Sequence, residues 1–160
     1  MSPPVFLDAN VPIYAAGGEH ALKAPCVRVL ELAAERSHDF VTDAEVLQEL
    51  LHRYLALRLW PAGRAVIEGF AVLMADRIEP VHGVDILEAA ALAGGPAGAH
   101  ERRSARDLLH AAVMRRIGSR RIVTADRDFD TFEGLERLDP ADVESWAASL
   151  EAEPDIEAEA

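Results

Sequence analysis

Val5-Phe6-Leu7-Asp8-Ala9-Asn10 is the stretch from which the fold is read. Three consecutive apolar residues are too few for a helix face but suit a strand buried on both sides, and such a strand delivers the carboxylate of Asp8 at its C-terminal end. An aspartate in that position can also serve as a helix cap through the Asp8-Ala9-Asn10 turn. Both roles stand open from local sequence.

Further along, strand patterns fall at Asp39 to Val41, Arg77 to Val81, Arg121 to Ala125 and Leu135 to Leu138. Between them, residues 20–36, 43–58, 61–75, 83–93 and 105–117 carry apolar residues at three- and four-residue spacing, as amphipathic helices do. Strands alternating with helices predict an α/β fold, with a mostly parallel central sheet of about five strands sandwiched between helical layers. Thr42-x-x-Glu45 and Ser104-x-x-Asp107 read as capping boxes, Pro61 suits a first helical turn, and Gly118 suits a helix stop. Asp139-Pro140 can open a last helix through Leu150. Residues 1–150 are therefore read as one domain and 151–160 as an acidic, disordered tail.

With 160 residues and half of them hydrophobic, the chain can fill one sizeable core. A lone Cys26 excludes an intrachain disulfide and a cysteine-rich zinc site, which suits a reducing cytoplasm. No apolar run reaches the ~18 residues of a membrane span, and the N-terminus lacks signal-peptide character. The formal charge of −12 is concentrated late: residues 1–138 hold 16 basic against 20 acidic residues, a net −4, and eight acids follow. Residues 100–127 hold eight arginines against three acids. This stretch reads either as a solvated helix face or as a phosphate-contacting surface, with Arg102, Arg103, Arg106, Arg115, Arg116 and Arg127 as the candidate contacts. The small-residue loop 94–101 is followed by no Gly-Lys-Ser/Thr and is not a nucleotide-binding loop.

Four carboxylates fall where this architecture would bring acids together: Asp8, Glu49 on the 43–58 helix, which also suits a surface position, Asp107 at the start of a later helix, and Asp126 after Val123-Thr124-Ala125. Parallel strands end on one edge, so Asp8 and Asp126 are expected together at the C-terminal edge, with Glu49 and Asp107 aimed at the same cleft. Massed acids repel unless protons or cations compensate them, and all-oxygen ligation points to Mg²⁺ or Mn²⁺. Asp107 has a second role open to it, completing the capping box, and the two can coexist. A calcium loop over 126–137 is excluded, since Thr131 stands where glycine is needed and Arg137 where a bidentate glutamate is needed. The six histidines form no HExxH pair; His52 and His110 alone lie three residues beyond a candidate ligand, on nearly the same helix face. Leu108, Leu109 and Met114 are expected in the core.

Taken in order, Val5-Phe6-Leu7-Asp8-Ala9-Asn10, Thr42 with Glu49-Leu50-Leu51, Arg106-Asp107-Leu108-Leu109-His110-Ala111-Ala112, and Ile122-Val123-Thr124-Ala125-Asp126-Arg127-Asp128-Phe129 resemble PIN domains. More closely they are similar to the VapC toxins of bacterial toxin–antitoxin pairs, over roughly residues 4–138. The resemblance implies a three-layer PIN-like sandwich and a metal-dependent endoribonuclease. It implies that Asp8, Glu49, Asp107 and Asp126 bind the metal, with Asp128 as an additional or water-mediated ligand and Asn10 and Thr124 lining the site. It also implies a tRNA, rRNA or mRNA substrate, a VapB-type antitoxin and a homodimer. The competing readings are an RNA-processing PIN nuclease without antitoxin, a catalytically silent PIN-like module, and a phosphoacceptor receiver domain. Receivers need a lysine after a late strand, and the only lysine is Lys23.

Overall fold

The computed structural model describes residues 2–95 and 103–151. Five strands, β1 (Val5–Leu7), β2 (Phe40–Asp43), β3 (Ile78–Glu79), β4 (Arg121–Val123) and β5 (Glu136–Leu138), form one sheet in the order β3-β2-β1-β4-β5. Every pairing is parallel. The residues of β1 are all fully buried, so both faces of the central strand are covered, as an uninterrupted apolar run requires. Chain order runs outward from β1 through β2 to β3, then returns to the other side of β1 for β4 and β5. The reversal between β1 and β4 is a topological switch point, the place where open α/β sheets leave a crevice beyond their strand ends.

The helices are α1 (Asn10–Ala16), α2 (Lys23–Glu35), α3 (Ala44–Ala56), α4 (Trp60–Leu73), α5 (Gly83–Ala93), α6 (Ala105–Ile117) and α7 (Val143–Glu151). The helix α1 packs on α2 and α4, and α6 packs on α5 and α3. The α3–α4 hairpin closes tightly: a Cβ on Gly63 would stand 2.2 Å from the Tyr54 Cβ, so only glycine permits this approach. Leu108, Leu109 and Met114 lie in the core as expected. Among the described residues no helix is long and apolar enough to cross a membrane.

Several expectations shift. Residues 10–16 form a helix of their own, with Pro12 tolerated because the first turn has no intrahelical N–H partners to lose. Asp8 does not cap it in the usual way, since its carboxylate takes the adjacent Ala9 N–H at 2.8 Å. The expected Thr42–Glu45 capping box does not form, and the cap falls one residue later. Thr42 is still in strand, paired with Ile78, and its buried hydroxyl donates to the Leu7 carbonyl at 2.9 Å. Asp43 caps α3 instead, accepting from Val46 N–H at 2.9 Å. The Ser104–Asp107 box forms as read, with both bonds at 3.1 Å, and Gly118 ends α6 at a φ of 75°. Most of the 94–101 loop, and the tail beyond Glu151, lie outside the described residues.

Candidate metal centre

Leu7 pairs with Val123, so the residues just beyond the two strands, Asp8 and Thr124, face each other across the switch point. The Thr124 hydroxyl donates to Asp8 Oδ2 at 2.7 Å and accepts from Asn10 Nδ2 at 2.7 Å and Asp126 N–H at 3.1 Å. That uses its one proton and both lone pairs. Asn10 Nδ2 also reaches Asp8 Oδ2 at 3.3 Å, and Asn10 Oδ1 accepts from Ala125 N–H at 3.3 Å. The buried Thr124 thus ties both strand ends together and fixes Asp8, Asn10 and Asp126 relative to one another.

The third wall comes from α3 and α6. His110, on α6 one turn beyond Asp107, is fully buried beneath Asp8 and Glu49. Its Nε2 lies 3.8 Å from Asp8 Oδ1 and 3.8 Å from Glu49 Oε2, and has no hydrogen-bond partner. One ligand atom each from Asp8, Glu49 and His110 lie within 4.8 Å of one another. On the far side of the ring, Nδ1 meets Asp43 Oδ2 at 2.8 Å, and Asp43 is fully buried.

Burial governs the electrostatics. It raises the Asp8 carboxyl to about 6, against the opposing pull of His110 and Thr124. It also raises Asp107, helped by the nearby charge of Asp126, although the Ser104 bonds work the other way. Glu49 is held below its ordinary value, because His110 and Arg106 outweigh its burial. Burial alone would drive His110 towards neutrality, but its bond to Asp43 and the nearby Glu49 carboxylate, with the charges of Asp43 and Asp8, raise it well above the usual imidazole value. The cluster therefore calls for positive charge, and the Arg106 guanidinium, 3.6 Å from Glu49, provides part of it.

The four sequence-derived carboxylates are placed by different links. Asp8 and Asp126 are joined through Thr124, Asp8 and Glu49 are neighbours of His110, and Asp107 is coupled to Asp126 by charge. Asp128 follows on the 3₁₀ turn Arg127–Thr131, its N–H bonded to Asp126 Oδ1 at 2.9 Å. His52 is exposed.

The arginines separate into two groups. Arg103 bonds to Thr131 and lies 4.3 Å over the Phe132 ring, Arg106 faces Glu49 and Glu45, and Arg127 is exposed beside Asp126. Arg115 and Arg116, at the other end of α6, pair with Glu88 and with Asp85 and Glu79. Arg102 lies outside the described residues.

Asp43 was missed by sequence reasoning, although the rule that found Asp8 applies to it: it ends a parallel strand, adjacent to β1, at the same sheet edge.

The parallel sheet gathers acids short of positive charge at its switch point. The PIN domain model matches residues 5–135. Ribonuclease VapC13 of Mycobacterium tuberculosis and VapC ribonuclease Mb1869c of Mycobacterium bovis are each 37% identical over 139 residues, spanning 84% of this chain and 98% of theirs. Ribonuclease VapC23 of Mycobacterium tuberculosis is 37% identical over 128 residues, 76% of this chain and 92% of its own. Among solved structures, VapBC2 from Rickettsia felis, bound to a fragment of its promoter DNA, aligns with a TM-score of 0.63 at 18% identity, covering 84% of this chain and 97% of that one. FitAB bound to IR36 DNA aligns equally well at 19% identity, covering 86% and 95%. The chain belongs to the PIN-domain family, and within it to the VapC ribonucleases.

Proposed function

We propose that this chain is the toxin of a VapBC-type pair, an endoribonuclease that hydrolyses RNA phosphodiester bonds with Mg²⁺ or Mn²⁺ held by Asp8, Glu49, Asp107 and Asp126. The observation that carries the reading is the concentration of buried, undercompensated carboxylate at the switch point, where Asp8 is pushed to about 6 and a buried imidazole nitrogen has no partner. Hard oxygen donors of this kind fit a small divalent cation.

Such an ion supplies the positive charge that polarises a phosphate and acidifies a water at neutral pH. The protein's part is orientation. Asp8 is clamped by Ala9 N–H, the Thr124 hydroxyl and the Asn10 amide, so its oxygens keep one geometry whether or not substrate is present. The Ser104 box fixes Asp107 while leaving it acidic lone pairs to spare, so cap and ligand roles are compatible. Asp128 serves through a water. Arg106, 3.6 Å from Glu49, together with Arg103 and Arg127, grips the RNA backbone, and looped or single-stranded stretches of tRNA, rRNA or mRNA suit a site that must reach individual phosphates. A cognate VapB-type antitoxin, supported by the VapC relatives and by the VapBC2 neighbour, and a homodimer complete the reading.

The test is fragment release from a mixed tRNA and rRNA pool with Mg²⁺ or Mn²⁺, with EDTA, and with Asp107→Asn. Cleavage lost both with EDTA and in the folded variant is expected. Equal cleavage by both proteins would refute the ligand set, and equal inertness in either metal would refute the enzyme.

A further inference from the structure

Neither the capping pattern nor the carboxylate set explains His110. It is fully buried, tilted against the Phe6 ring at 5.3 Å, with one nitrogen bonded and the other bare. A buried polar atom left without a partner costs stability, so its retention in the core calls for a compensating partner. The bonded nitrogen fixes what the bare one can do. Asp43 Oδ2 can only accept, so Nδ1 carries a proton, and in the neutral ring Nε2 then presents its lone pair towards Asp8 and Glu49. A carboxylate behind the imidazole of a metal-ligating histidine is the usual means of fixing tautomer and ring orientation.

We propose that His110 is a nitrogen ligand of the divalent ion held by Asp8 and Glu49, and that Asp43 is the positioning residue that aims it. The inference rests on the metal-dependent reading above and makes that site more specific. Mixed nitrogen and oxygen ligation gives up the hard, all-oxygen environment that Mg²⁺ prefers, so the site holds Mn²⁺ or Co²⁺ more tightly than Mg²⁺. Asp43 does this while capping α3 with its other oxygen, one side chain serving helix and site together.

Pulsed EPR of Mn²⁺ bound to the intact protein reads the ligand directly. A ¹⁴N coupling that becomes ¹⁵N on incorporation of [¹⁵N]histidine is expected, and it should survive His100→Gln, which alters a histidine outside the described residues. Asp43→Asn tests the relay without removing the cap, since asparagine caps as well as aspartate. Its carbonyl can still accept from Val46 N–H, while its amide donates to Nδ1 and moves the ring proton to Nε2. The ¹⁴N coupling should then vanish, and Mn²⁺ affinity should fall about 10–100-fold, more than Mg²⁺ affinity does. Mn²⁺ bound through oxygen alone, as it would be if His110 stayed an imidazolium, overturns the inference and leaves metal-dependent cleavage intact. No divalent binding at all overturns both. A ¹⁴N coupling unchanged in the folded Asp43→Asn protein overturns the role of Asp43.

Discussion

The two ends of α6 carry the same kinds of side chain in opposite electrostatic states. Asp107 lies in its first turn and Arg115 and Arg116 in its last, so both ends suit the helix dipole. They are separated by roughly 13 Å at 1.5 Å per residue. At the far end Arg115, Arg116 and Asp85 all have partners of opposite charge. Asp85, 2% exposed, takes Arg116 Nε at 2.8 Å and the His82 N–H at 2.8 Å, and these outweigh its burial to hold its carboxyl below the ordinary value. At the near end Asp8 is also shielded from solvent and lies deeper in the protein, its partners are mostly neutral donors, and its carboxyl is raised. Depth of burial and the supply of cations both separate the two. One end of the helix is built for stability, and the other retains repulsion that a bound cation can relieve.

The largest effect separates the two ends by activity. Asp8→Asn should lower RNA cleavage by more than about a hundredfold, since loss of a partner behind a ligand already costs about 10–100-fold. Asp85→Ala should leave the cleavage rate per folded molecule unchanged. If the two variants lost activity alike, the division between the ends of α6 would be wrong.

Stability should respond in the reverse order. Asp85→Ala removes a buried ion-pair partner and an N-terminal cap bond together and should cost about 2–3 kcal/mol in denaturant unfolding. Because the folded-state value of Asp85 is depressed, its contribution is fully present above the unfolded value of 3.8 and is lost as pH falls through the lower folded one. The gap between wild type and variant should therefore hold steady from neutral pH to about 4 and narrow below it.

Asp8→Asn should instead stabilise the metal-free protein at pH 7, by on the order of 1–2 kcal/mol once the loss of an acceptor oxygen is allowed for. The sign follows from a folded value of about 6 standing above the unfolded 3.8. Ionised Asp8 opposes folding above about 6, and that cost fades as the folded carboxyl takes its proton. Melting in EDTA should show the variant's advantage at pH 7–8 disappearing as pH falls from about 6 towards 4. Saturating Mn²⁺ should reverse the order, because only wild type gains from the ligand.

How much of this was legible in sequence depends on whether a feature is local. Short apolar runs closed by Asp8 and Asp126 announced strands and their shared edge, and Ser104-x-x-Asp107 announced the start of α6, because a strand run and a capping box are each written within a few adjacent residues. The cap of α3 was misread by one residue because Thr42 and Asp43 are both good caps, and only pairing with β3 keeps Thr42 in the strand. The Asp43–His110 contact spans 67 positions and could not be read from either neighbourhood. The same holds for Arg115 and Arg116, whose pairing with Glu88 and Asp85 depends on how α5 docks against α6. The helix α1 was missed because seven residues with a proline at the third give too little periodicity to count.

Arg106 tests the boundary between the two regimes with the smallest effect. It is the arginine of α6 that faces the acidic end, 3.6 Å from Glu49 and 3.9 Å from Glu45, and all three side chains are partly exposed. An ion pair so open to water contributes roughly 0–1 kcal/mol, so Arg106→Ala should scarcely change unfolding. Its guanidinium nevertheless competes with a divalent ion for Glu49, and removing it should tighten Mn²⁺ binding by a few-fold in calorimetric titration, on the order of 1 kcal/mol or less. RNA affinity should move the other way if the same side chain grips phosphate, with a steeper loss at low salt. Tighter metal with weaker RNA would mean that Arg106 occupies the site at rest and turns to the substrate once the ion is bound. Weaker metal would mean that it holds Glu49 in place instead, and the near end of α6 would then be less short of positive charge than its buried carboxylates indicate.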